Sequence, residues 1–75
     1  MMMLTKNERI LRLVKDWVAK IGEGEVKRRL VMRGVGLSTA DHIAHFRYRS
    51  TPKELLASIL EDEMKKDGLE IKHAG

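Results

Sequence analysis

The side chains in this 75-residue chain with the clearest chemistry are cations, and they cluster. Residues 26–53 carry seven of them, Lys27, Arg28, Arg29, Arg33, Arg47, Arg49 and Lys53, against Asp41 alone. Residues 1–25 are close to neutral, with five basic and four acidic side chains, and residues 54–75 carry six acids against three bases. The net charge of +4 is thus concentrated mid-chain, the footprint expected for a polyanion partner. The same segment holds Ser38, Thr39, His42 and His45, polar side chains that can both donate and accept hydrogen bonds.

Catalytic chemistry has no comparable signature. No activated nucleophile or phosphate cradle is visible, and Gly34 and Gly36 are not followed by the third glycine or the lysine of a phosphate-binding loop. His42 and His45 lie three apart beside Asp41, but a third metal ligand is not evident. The expectation is a protein without catalysis, metal, cofactor or small-molecule substrate. There is no cysteine, which excludes disulfides and Cys-ligated metal and fits a reducing, cytoplasmic setting. No apolar run approaches a membrane span, and no signal-peptide pattern precedes the first charged residues.

The elements that must hold these groups are helices. Thr5 and Glu8 form a capping box, after which Ile10, Val14, Trp17 and Ile21 recur at helical spacing, reinforced by Leu11, Leu13 and Val18. Gly22 stops this helix, and Gly22-Glu23-Gly24 reads as a hinge. Trp17 lies on the apolar stripe and is expected to anchor the core. A second helix is predicted over Glu25–Arg33, with Val26, Leu30 and Val31 among the cations. Gly34 stands where a left-handed residue ends a helix, and Val35, Gly36 and Leu37 make the turn. Ser38 is the predicted N-cap of a third helix, with Asp41 closing its capping box and Ala40, Ile43 and Ala44 forming a narrow inner face. Two short helices joined at a steep angle by such a turn make a helix-turn-helix, whose second helix can enter a DNA major groove.

Gly34, apolar Val35 after it, the Leu37-Ser38 entry to the next helix and apolar Ile43 late in that helix carry a resemblance. The segment from Glu25 to Ser50 resembles the helix-turn-helix of the phage Cro and repressor family of small DNA-binding regulators. Leu30 stands where that family usually has a small residue, and Arg33 where it has an apolar one. The resemblance implies a sequence-specific double-stranded DNA-binding protein, a small transcriptional regulator (repressor) of phage or plasmid type. Thr39, His42 and His45, with Ser38 at the helix entry, would read base edges. Lys27, Arg28, Arg29, Arg33, Arg47, Arg49 and Lys53 would meet phosphates.

Beyond the motif, Phe46-Arg47-Tyr48-Arg49 alternates rings and cations. In an extended strand the rings would seal the end of the core and the arginines would face out. Thr51, Pro52 and Glu54 are the predicted N-cap, N1 and N3 of a last helix, in which Leu55, Leu56, Ile59, Leu60 and Met64 follow at helical intervals. Asp67-Gly68 ends it. The whole is predicted to be one all-α domain of four helices over residues 1–75, with flexible tails at 1–4 and 69–75 and a short C-terminal strand as an option. A chain this small buries roughly 60% of the surface its unfolded form exposes and often gains apolar area by self-association. Leu56, Leu60, Leu69 and Ile71 are accordingly the expected homodimer interface. Two other readings stand beside DNA binding: a helical protein-interaction module, and an RNA-binding module, for which exposed aromatic platforms are scarce.

Overall fold

In the computed structural model, which describes residues 4–70, the chain is all-α among the described residues: α1 (Lys6–Ile21), α2 (Glu23–Met32), α3 (Leu37–Ala44) and α4 (Glu54–Lys66). None of these helices is long and apolar enough to cross a membrane. α1 starts where its local chemistry dictates. The Thr5 hydroxyl accepts from the Glu8 N–H at 3.2 Å, and the Glu8 carboxylate accepts from the Thr5 N–H at 3.2 Å. Ile10, Val14 and Trp17 then form a fully buried stripe, covered by Val26 and Leu30 of α2, Ala40, Ile43 and Ala44 of α3, and Ala57, Leu60 and Met64 of α4. α2 packs mainly on α3, and α4 lies mainly along α1.

Three helix starts differ from the sequence expectation, each for a nameable reason. α2 begins two residues early, because the Val26 N–H reaches the Gly22 carbonyl at 3.1 Å. Gly22 alone therefore makes the hinge, and Gly24 is helical. α3 is capped by Gly36 and not by Ser38: the Ala40 N–H bonds the Gly36 carbonyl at 2.9 Å, so Ser38 is already inside the helix. α4 is capped by Lys53, with Thr51 and Pro52 outside it. Pro52 is buried and its carbonyl accepts from Asn7 Nδ2 at 2.9 Å, which holds the segment against α1 before the helix can start.

The ends of α2, α3 and α4 share one device. After α2, the Val35 N–H bonds the Leu30 carbonyl and the Gly34 N–H bonds the Val31 carbonyl. After α4, Leu69 and Gly68 make the same pair of bonds to Met64 and Lys65. Both are Schellman ends with glycine at the left-handed position, Gly34 at φ 90 and Gly68 at φ 82. α3 ends in the same way, Arg47 N–H to the His42 carbonyl and Phe46 N–H to that of Ile43, but its left-handed residue is Phe46 at φ 60. A side chain there costs on the order of 1–2 kcal/mol that glycine avoids.

That end corrects the expectation for the aromatic segment. Phe46 is not part of an extended run and does not seal the core; it is 56% exposed, while Tyr48 packs half-buried against the core. The dimer expectation is corrected as well. Leu60 is wholly buried within its own protomer and is unavailable to a partner. Leu56 and Leu69 are half-buried against the same core, so the tail does not begin at residue 69, and Ile71 lies outside the described residues. Leu69 and Glu70 form no strand, and the rest of that segment is likewise outside them.

Candidate nucleic-acid interface

α3 presents two unlike faces. Ala40, Ile43 and Ala44 are buried against α1 and α2, while Ser38 and His42 are exposed, Thr39 is half-buried and His45 stands at the exposed C-cap. The alternation comes from the sequence, since residues three and four apart share a helix face. His45 is held in place: its Nδ1 lies 2.9 Å from the Asp41 carbonyl oxygen and its Nε2 3.3 Å from a Glu23 carboxylate oxygen. Asp41, expected at the helix start as a cap, instead faces Lys27 of α2 at 3.2 Å. That lysine, with smaller contributions from His45 and His42, holds the Asp41 carboxyl below its ordinary range.

The cations divide into two groups. The four on α2 and its end are already paired. Arg28 binds Glu25 at 2.5 Å, and Arg29 binds the same carboxylate at 3.1 Å. Arg29 also reaches Asp67 at 3.1 Å, where Trp17 Nε1 donates to the same oxygen at 2.9 Å. Arg33 binds Glu63 at 2.6 Å and Asp62 at 3.3 Å. Glu63 is 3% exposed and also accepts from Lys66 at 2.9 Å. Arg29 and Arg33 thus fasten α2 to α4, and they are not free to grip phosphate. The remaining three predicted cations, Arg47, Arg49 and Lys53, make no ion pair among the described residues. Three further cations do not stand out in the sequence. Arg9, Arg12 and Lys15 recur every third residue of α1 and likewise make no ion pair among the described residues. Their spacing was the available signal, masked by the near-neutral balance of residues 1–25.

The carboxylates of this network predict acid sensitivity. Hydrogen bonds from Arg28 and then Arg29 lower the Glu25 pKa from 4.5 to about 2. Burial works against the charge of Glu63, but Lys66 and Arg33 more than offset it, so its pKa also lies below the ordinary value. The unfolded chain therefore takes up these protons at higher pH than the folded one, and stability is lost as pH falls. Thermal melts should be highest near neutrality and fall progressively from pH 4.5 toward about 2, the range set by Glu25. A melting temperature flat across that window would refute the network's contribution.

No group of three His, Asp or Glu side chains among the described residues is placed to hold a metal. Comparison with protein-family models, curated proteins and solved structures returns no match for this chain.

Proposed function

We propose that the chain is a sequence-specific double-stranded DNA-binding protein, a small transcriptional repressor of the Cro and repressor type, with α3 as its reading helix. The observation that carries the reading is the two-faced α3: its inner face is fully buried on α1 and α2, and its outer face offers Ser38, Thr39 and His42 to a groove. Arg47, Arg49 and Lys53, in the connection from α3 to α4 and without ion pairs among the described residues, are the phosphate contacts in this proposal. Lys27 and Arg28 can join them by exchanging surface ion pairs, which hold little energy. Arg29 and Arg33 take no part, because leaving Asp67 and Glu63 would unfasten α4.

With about three phosphates met per protomer, the log–log dependence of affinity on salt should have a slope near −3, at roughly −0.9 for each. Arg47→Ala should weaken binding to all duplexes about equally and flatten that slope by about one unit. Thr39→Ala and His42→Ala should instead change which sequence is preferred in a selection from random duplexes. Arg29→Ala should lower stability and leave the slope unchanged. Preference for single-stranded RNA, or a slope of zero, would overturn the reading.

We also infer that the protein pairs on DNA, since one reading helix contacts too few base pairs to discriminate against a genome. Leu60 is excluded from that interface, and Leu55, 78% exposed beside Leu56, is the apolar surface left on α4. Sedimentation with a palindromic duplex should show two protomers bound, and Leu55→Ser should reduce this to one. Independent binding of single protomers to half-sites by the unmodified chain would refute pairing.

A further inference from the structure

An open groove of about 530 Å³ lies between the middle of α1 and the end of α3. Its floor is Leu11 and Val14 of α1 with Ile43 of α3, the last two almost fully buried. Phe46 and Tyr48 supply aromatic walls, and Arg12 and Lys15 supply the polar ones. No acidic residue lines the groove, and neither cation has an ion-pair partner among the described residues. Glu8, one turn before Arg12, accepts from the Thr5 N–H and hydroxyl, and Arg12 adds only a smaller through-space stabilisation of its charge.

The second observation is Phe46 itself. The other two Schellman ends of this chain use glycine at the left-handed position, and only α3 places a side chain there. The ring does not repay that strain by burial, since it is more than half exposed. Strain held without a packing return is characteristic of groups kept for contact with something else. Here the strained residue is a wall of the groove.

We propose that this groove binds a small aromatic carboxylate. Its volume falls within the range of small-molecule sites. The apolar floor and the two rings match a flat ring system, which stacks offset or edge-to-face on Phe46 and Tyr48. Arg12 and Lys15 match a single anionic group at the ring's edge, Arg12 through the paired N–H donors of its guanidinium. The proposal is independent of the DNA reading, because the groove lies beside α3 and its occupancy is measured with no DNA present.

The test is an amide chemical-shift titration of the full, isotope-labelled chain with naphthoate and, separately, with uncharged naphthylmethanol. Naphthoate should shift the amides of Leu11, Lys15, Ile43 and residues 46–48 saturably, with millimolar or tighter affinity. The alcohol should bind about fivefold more weakly, the difference expected from two exposed cations. The double variant Arg12→Gln/Lys15→Gln should erase that difference, and both side chains are exposed with no ion-pair partner among the described residues, so the fold should survive. Phe46→Gly should weaken naphthoate about tenfold by removing an aromatic contact, while its melting temperature stays equal or rises as the left-handed strain is relieved. Equal binding of alcohol and acid, unchanged binding by Phe46→Gly, or shifts confined to the separate groove at Val35 and Leu56 would overturn the proposal.

Discussion

Trp17→Ala should unfold much of the population at physiological temperature. The indole is wholly buried, and it is the largest side chain of the core. Truncating such a residue costs about 3–5 kcal/mol through lost transfer energy and the cavity left behind. A domain of this length has about 4–11 kcal/mol in total at the usual stability per residue. The residue also donates to Asp67 from its indole nitrogen, joining the end of α1's stripe to the end of α4. Trp17→Phe keeps most of the apolar body and loses the donor, so it should cost less than half as much. Thermal melts followed by circular dichroism decide the matter: the Ala variant should lose about 15 °C or more, at roughly 4–8 °C for each kcal/mol. A loss of only a few degrees would mean that the core does not depend on this anchor.

Glu63→Ala should lower stability and, at the same time, strengthen the salt dependence of the proposed DNA binding. Its carboxylate is buried and accepts from both Arg33 and Lys66, with Arg29 3.8 Å away. Removing it leaves three cations converging on an empty acceptor position. Breaking a buried pair from one side costs about 3–5 kcal/mol where the remaining charge cannot reach water. Arg33 and Lys66 are partly exposed and can, so about 2–3 kcal/mol is the expected loss. Glu63→Gln, which keeps the acceptor and the shape, should lose less. Arg33, left with only the exposed Asp62, then becomes available to phosphate, while Arg29 stays on Glu25 and Asp67, so the salt slope should steepen by up to about one unit. Unchanged stability and an unchanged slope together would refute the assignment of Arg33 to the α2–α4 junction.

The same pair of arginines shows where sequence reasoning ends. A basic segment over residues 26–53 and an acidic one over residues 54–75 look, along the chain, like a charged surface beside an unrelated region. In three dimensions they are partly each other's counter-charge. Arg33 and Glu63 are thirty residues apart and nothing local announces their contact, because ion pairing across elements depends on which helix faces which. Arg9, Arg12 and Lys15 of α1, without ion pairs among the described residues, are hidden in the sequence for the converse reason: an apparently balanced segment conceals a row of cations that its own acids do not neutralise.

What the sequence determined by itself is everything governed by spacings of three and four residues. The stripe of Ile10, Val14 and Trp17, the inner face of Ala40, Ile43 and Ala44, the Thr5–Glu8 box and the turn at Gly34 are local patterns, and each is present in the structure. Helix periodicity and capping act within one or two turns, so they are legible without knowing the neighbours. Only the tertiary structure decided whether a favourable local cap was used. Thr51 and Pro52 lost their places when the Pro52 carbonyl was taken by Asn7 and the ring was buried, and Ser38 lost its place to Gly36 at the turn. It also decided that Leu60 is core and Leu55 surface, although both belong to one apolar-rich helix. Phe46 was beyond sequence reading altogether, because left-handed backbone at a non-glycine residue is imposed by the chain that must leave α3 and reach α4, and no propensity of phenylalanine points to it.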